Sequence, residues 1–276
     1  MTRFLTSTAL VLSLTACGGL VDIRPDALKG EIDPAVQEDG ARRFRALLDV
    51  HGGMETWEGL ASVETTFRDE WTNWLFFQVT PYAENNQRAS LTSNLHGFPD
   101  SRIEFLEGEG TGEVWTAKGT TIVRERDGET ERTQAWGDAF FAVFVQNPEF
   151  MIATPFRLAT ADKYAYVGTR SWKGTDHDVV MLSWGDFAPQ ERVDQWLLYI
   201  DPRTGRLAAT EFTVRMSGGS QTGFYHFHDY TVTDGLLLAH AMDAYLDKDD
   251  ETPVHRYRFD DFTFTPAAPP PATAVR

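Results

Sequence analysis

The sequence predicts a mainly β protein, one antiparallel meander of about ten to eleven strands, with a helix in front of it and a second, apolar helix inserted halfway. Three observations predict this. Apolar and polar residues alternate with period two: Val63, Thr65, Phe67 and Trp71 stand against Glu64, Thr66, Arg68 and Glu70, and Thr210, Phe212, Val214 and Met216 against Ala209, Glu211, Thr213 and Arg215. Such alternation turns one side of a strand to a core and the other to water. Turn signals then recur at roughly ten-residue spacing, the rhythm of a meander, at Glu107-Gly108, Lys118-Gly119, Asp127-Gly128, Lys173-Gly174, Asp201-Pro202-Arg203-Thr204-Gly205, Ser217-Gly218-Gly219-Ser220 and Thr233-Asp234-Gly235. Finally, the chain has 276 residues, 42% hydrophobic and 24% charged, which suffices for one large core without disulfide staples.

From Pro34 to Val50 the apolar residues Ala35, Val36, Phe44, Leu47 and Leu48 fall partly at helical spacing, and the run stops at His51-Gly52-Gly53. That predicts a helix of about four turns ended by a glycine cap. A short second helix is expected over Met54–Leu60, and strands begin at Val63. The stretch Gly137–Ala153 carries Phe140, Phe141, Val143, Phe144 and Val145, then Pro148, Phe150 and Met151. It reads as a helix apolar on most sides that ends near the proline. A helix so apolar must be covered, so it is expected to pack across the sheet.

An excess of acid, 41 Asp plus Glu against 25 Lys plus Arg for a formal charge of −16, repels phosphate backbones and excludes nucleic acid as the main partner. The N-terminus carries an export address. Met1–Cys17 opens with Arg3, runs through Ala9, Leu10, Val11, Leu12 and Leu14, and ends Leu14-Thr15-Ala16-Cys17, too short for a spanning helix of ~20 residues. Those last four residues resemble the bacterial lipobox. The resemblance implies a lipoprotein signal peptide over residues 1–16, acylation of Cys17 (palmitate among the acyl chains), and, with Gly18 rather than Asp next, outer-membrane retention facing the periplasm. Cys17 is the one cysteine of the chain. Residues 17–33, punctuated by Gly18, Gly19, Pro25 and Gly30, read as a lipidated tether. Residues 34–264 form the folded domain, and 265–276, mostly Pro and Ala, a disordered tail.

The order of helix, meander, apolar helical insertion and more meander resembles the LolA/LolB-like superfamily of lipoprotein-sorting and lipid-carrier proteins. The stretches that carry the resemblance are Leu47-Leu48 with His51-Gly52-Gly53, Trp57, Leu60 and Val63; Tyr166-Val167-Gly168 before Val179-Val180-Met181-Leu182; Trp196-Leu197-Leu198-Tyr199-Ile200-Asp201 with Thr204-Gly205; and Asp229-Tyr230 with Asp234-Gly235-Leu236-Leu237-Leu238. Ala239 stands where the family more often has proline. The resemblance implies an antiparallel half-barrel whose concave face is covered by helices.

Aromatic residues make up 13% of the chain, with 19 Phe and 8 Trp. The densest group is Trp71, Trp74, Phe76 and Phe77 in the first hairpin, Phe140, Phe141 and Phe144 on the inserted helix, and Phe156 just after it. Core packing accounts for any one of them. In a half-barrel, Trp71, Trp74, Phe76, Phe140, Phe141, Phe144 and Phe156 are the candidate lining of a cavity for a lipid or acyl chain, bound by area burial of ~25 cal/mol per Å².

Other chemistry is weaker. His226 and His228 share a strand face, with His240 and His255 in the next two strands, a set that could hold Zn²⁺; without HExxH or paired cysteines, no metal is assigned. His51-Gly52-Gly53 is a helix cap rather than an esterase oxyanion loop, since no GxSxG serine exists. Asp247, Asp249, Asp250 and Glu251 read as a solvated turn. The expectation is a non-enzymatic envelope lipoprotein with no cofactor that binds or transfers an apolar ligand and meets a partner in the same membrane. A structural or protein-interaction lipoprotein is the alternative, and a His-dependent metal-binding hydrolase a third.

Overall fold

The computed structural model describes residues 19–97, 99–132, 137–217, 219 and 221–268. Helix α1 spans Pro34–Val50 and α2 Gly53–Glu58; strand β1 covers Leu60–Trp71 and is followed by the single turn α3, Trp74–Phe77. Five strands follow: β2 Asn86–Asn94, β3 Ser101–Phe105, β4 Val114–Lys118, β5 Thr121–Arg126 and β6 Glu129–Arg132. The long helix α4, Gly137–Leu158, leads to β7 Lys163–Trp172, β8 Thr175–Ser183, β9 Trp196–Ile200, β10 Leu207–Val214, β11 Gln221–Thr233, β12 Leu236–Tyr245, β13 His255–Phe259 and β14 Thr263–Pro266.

All described strands join one antiparallel sheet in the order β6-β5-β4-β3-β2-β1-β13-β12-β11-β10-β9-β8-β7, with β14 also on β1. The two halves of the meander therefore meet where β1 pairs β13, Phe67 opposite Phe259 and Trp71 opposite His255. Strands β6 and β7 are the free ends, so the sheet is open. Because α4 connects those two ends, its path has to cross one face of the sheet. We call that face inner.

The mainly β class and the open sheet match the expectation, but fourteen strands exceed the ten or eleven expected. The surplus is short: β6 is the all-polar Glu-Thr-Glu-Arg, and β14 reaches two residues into the segment expected as tail, where Ala267 N–H also donates to the Gly59 carbonyl at 2.8 Å. The segment expected to continue the first hairpin, Trp74–Phe77, is instead the turn α3, because the Asn73 side chain caps Leu75 and Phe76 N–H.

Helix α1 starts at Asp33, whose carboxylate accepts from Ala35 N–H at 2.9 Å, with Pro34 at the first turn. It lies on edge strand β7 so closely that a Cβ on Gly40 would sit 2.5 Å from the Ala165 backbone nitrogen. Its end is the expected glycine cap, with Gly52 at φ +108°.

The main core fills the inner face, with Phe44, Trp57, Phe67, Ile103, Trp115, Phe156 and Tyr257 all buried. A second core lies on the outer face of β7 to β12, around Val179, Met181, Leu197, Tyr199 and Phe224. Residues 19–33, expected as a tether, are laid on this outer face. Val21 N–H donates to the Gly219 carbonyl at 2.9 Å, Ile23 N–H to Gln195 Oε1 at 3.1 Å, and Arg215 Nη2 to the Val21 carbonyl at 2.7 Å. Leu28 is 2% exposed among the second-core residues. Ile23, Leu28 and Ile32 are too sparse to show a period, and the glycines and prolines between them set the bends of a docked strap.

Candidate functional site beneath the inserted helix

Helix α4 extends five residues beyond the expected end and keeps Pro148 and Pro155 inside it. Proline lacks the N–H that the carbonyl four residues earlier would accept. Both orphaned carbonyls find other donors. Tyr82 OH donates to the Phe144 carbonyl at 3.3 Å, and Thr154 Oγ1 to the Met151 carbonyl at 3.3 Å. The helix is tied down at its far end by Arg157, which is held in place by a buried carboxylate of the same helix and also donates to the Asn94 carbonyl at 3.3 Å. Glu149 is fully buried and accepts from Arg157 Nη2 at 2.8 Å and Nε at 3.1 Å, while Arg157 Nη1 reaches the Gly97 carbonyl at 2.6 Å. Burial pushes the Glu149 carboxyl up to about 7 against the pull of Arg157.

Under α4 the floor is aromatic. Trp57 stacks on Phe156 with centroids 4.5 Å apart, and Tyr82 stacks on Trp115 at 5.7 Å and meets Phe144 edge-on at 5.6 Å. A polar island is set into it. Asp69, fully buried, accepts from His255 Nε2 through Oδ1, and Trp71 stacks on that imidazole at 4.2 Å. Gln87 Oε1 and Trp71 Nε1 are buried without a hydrogen-bond partner, and Asp69 Oδ2 has only the phenols of Tyr82 and Tyr257 beside it, neither in well-aligned hydrogen-bond geometry. Burial and the Asp69 charge hold the phenols of Tyr82 and Tyr257 well above their ordinary range. Groups left unpaired in this way are ready to receive the polar end of a ligand or water.

Of the residues expected to line the cavity, Phe144 and Phe156 are buried in the main core, and Trp71 and Phe141 are half-buried against it. Phe140 lies in the first turn of α4, and its side chain is outside the described residues. Phe76 is half-buried on α3, and Trp74 is 72% exposed beside Leu75 and Val79, because α3 turns this segment away from the sheet. Trp74 is therefore no part of the lining in this conformation. Cys17 lies outside the described residues.

Asp69, Tyr82, Gln87, Tyr257 and the Glu149–Arg157 pair were not singled out by the sequence. Asp69 carried a readable signal, since it falls in phase with Val63, Thr65, Phe67 and Trp71 on the inward side of β1. The histidine set is divided: His255 is inner, His240 bonds Thr231 and the Phe259 carbonyl, and only His226 and His228 share a face, beside Asp243.

Free space beneath α4 is small. A cavity bounded by His51, Met151, Ile152, Leu207, Tyr230 and Leu238 holds about 10 Å³, and a recess between Gln87, Phe105, Glu113, Trp115 and Arg124 about 100 Å³. Ligand pockets run to about 300–1,000 Å³, so neither of these two spaces holds such a ligand in this conformation.

The chain is similar to LolA-like superfamily structures. A putative outer membrane lipoprotein-sorting protein domain from Vibrio parahaemolyticus matches at 13% identity and a TM-score of 0.49, over 82% of this chain and 92% of that one. A LolA superfamily protein from Nitrosomonas europaea matches at 14% and 0.48, over 83% and 95%, and a DUF1329 family protein from Desulfovibrio piger at 7% and 0.48, over 81% and 92%. No family model and no curated protein matches the chain. Among the described residues, no helix is long and apolar enough to cross a membrane.

Proposed function

We propose that this chain is a non-enzymatic envelope lipoprotein, anchored through Cys17 in the outer membrane, that binds or transfers a lipid or acyl chain on the inner face of its open sheet. The observation that carries the reading is α4 itself. A 22-residue apolar helix with two internal prolines covers an aromatic floor, and an apolar ligand could replace the contacts it makes there. Each CH₂ of an acyl chain taken out of water gains about 0.8 kcal/mol, enough over a long chain to offset displacement of the helix. The unpaired Gln87 and Trp71 atoms suit a ligand whose one end is polar.

The test is native mass spectrometry of residues 18–276, expressed in the periplasm and purified without detergent. A bound mass in the fatty-acid or phospholipid range, lost in Phe141→Asp while that variant stays folded by far-UV circular dichroism, is the expected result. A clean ligand-free mass, with no displacement of a fluorescent fatty acid, overturns it. The small volume of the two spaces beneath α4 favours a second reading in that event, a protein-interaction lipoprotein whose core is closed and whose exposed Trp74, Leu75 and Val79 meet a partner.

A further inference from the structure

We infer that the outer face of the sheet carries a binding site for a zinc-type divalent transition metal, built from His226, His228 and Asp243. His226 and His228 are two apart on β11, so both rings leave the same face, with centroids 4.9 Å apart. Asp243 on β12 stands directly opposite His226 in the register. One ligand atom from each of the three lies within 4.8 Å of the others. His228 Nε2 is 3.5 Å from Asp243 Oδ2, close to the edge of about 3.3 Å that a tetrahedron with metal–ligand bonds of about 2.0 Å requires.

Two further features single out this cluster from an ordinary surface group. First, His228 Nδ1 faces Asp229 Oδ2 at 3.2 Å. A carboxylate this close to Nδ1 is placed to accept its N–H once a metal takes Nε2, the outer contact that metal-binding histidines commonly make. Asp229 has φ +56° inside a strand, a conformation uncommon for a residue with a side chain. Second, His228 Nε2 is buried and faces only the Asp243 carboxylate, at 3.5 Å and without a well-aligned hydrogen bond, so a metal ion could take the place between them. Arg258 Nη2 takes the opposite oxygen, Asp243 Oδ1, at 2.7 Å, with Arg256 Nε 3.9 Å from it, which orients Oδ2 toward the histidines. Trp172 lies edge-on to His226 with centroids 4.9 Å apart and closes one side.

The ligand set decides the metal class. Two imidazoles and one carboxylate suit Zn²⁺ and its late first-row neighbours, whereas Ca²⁺ and Mg²⁺ take all-oxygen shells. Three protein ligands leave at least one position open to water or to a group from a partner.

The experiment is titration of the purified protein with zinc chloride, read by isothermal calorimetry and thermal melting. One saturable equivalent and a raised melting temperature are expected, lost in His226→Ala and Asp243→Asn and retained in His240→Ala. Asp229→Asn is expected to weaken binding by about 10–100-fold, the usual effect of removing such an outer carboxylate. In the unsubstituted protein, histidine side-chain ¹⁵N resonances provide a readout independent of any variant: one equivalent of zinc is expected to shift His226 and His228 and leave His240 and His255 in place. No saturable equivalent, zinc binding that survives His226→Ala, or shifts confined to other histidines each overturn the proposal.

Discussion

His51 shows how one side chain can hold distant parts of the molecule together. Its Nδ1 donates to the Leu237 carbonyl at 2.8 Å and its Nε2 accepts from Leu207 N–H at 3.2 Å, so the ring must be neutral with the proton on Nδ1. Burial lowers its pKa to about 4, opposed by the Leu237 hydrogen bond and helped by the charge of Arg206. The unfolded chain thus takes up a proton near 6.5 that the folded one refuses until about 4. The resulting stability is full above pH ~6.5 and is lost on acidification toward pH ~4, amounting to about 3 kcal/mol at most. Glu149 acts in the opposite sense: its carboxyl is raised to about 7, so its contribution is full below about 4.5 and fades as pH rises through 7. Urea unfolding of wild type and His51→Gln at pH 7.5 and pH 4.5 separates the two, because Glu149 is common to both proteins. The difference between them is expected to shrink by about 2–3 kcal/mol at the lower pH; an unchanged difference would sink the assignment. The helix-cap role of His51 was legible in His51-Gly52-Gly53, but the staple was not, since Leu207 and Leu237 lie 156 and 186 residues away in sequence.

Among the elements, α4 is both the most legible and the most misjudged. Its apolar run marked it as a helix that must be covered, and topology agrees, because it bridges the two free ends of the sheet. Its length was not legible, since a proline stops a helix unless another donor takes the freed carbonyl, and the donor to the Phe144 carbonyl, Tyr82, arrives only by packing from outside the helix. Short polar strands such as β6 escaped for a related reason: four residues cannot establish a period, and pairing with β5 makes them strand. What ties α4 to the sheet at this end is Arg157, which Glu149 positions from within the helix while its guanidinium donates to the Gly97 and Asn94 carbonyls. Arg157→Met leaves a carboxyl buried without its cation, expected to cost about 3–5 kcal/mol. If α4 is a displaceable cover, the same substitution exposes the floor. Binding of an environment-sensitive apolar dye at 20 °C is then expected to rise several-fold while far-UV circular dichroism is kept. Adding Glu149→Gln should restore most of the lost stability, because the buried carboxyl is then neutral. Loss of stability with no gain in dye binding would show α4 to be an integral part of the core.

At the scale of the whole molecule the sheet has two covers rather than one. Helix α4 crosses the inner face, and residues 19–33 strap the outer face of β7 to β12, where Leu28 plugs the second core. This strap is the part of the fold least legible in the sequence: Leu28 has no periodic apolar companions, and its partners Val179, Met181, Leu197 and Phe224 become a surface only when the four strands β8 to β11 have assembled. Docking shortens the tether. If Cys17 is acylated, only the residues before Val21 separate the lipid from a backbone already bonded at Gly219, about 15 Å of chain at ~3.5 Å per residue. The domain is then held against the bilayer rather than on a long leash, which suits handover of a ligand within one membrane. Leu28→Asp tests the strap. Removing a side chain that is 2% exposed and placing a carboxylate there is expected to cost about 3–4 kcal/mol, or a fall of about 10 °C in melting temperature for a chain of this size. Zinc binding on the outer face and ligand binding on the inner one should both persist, since neither site includes residues of the strap. A melting temperature unchanged within a degree would instead mean that residues 19–33 do hang free, and the anchored domain would have the longer reach of a tether.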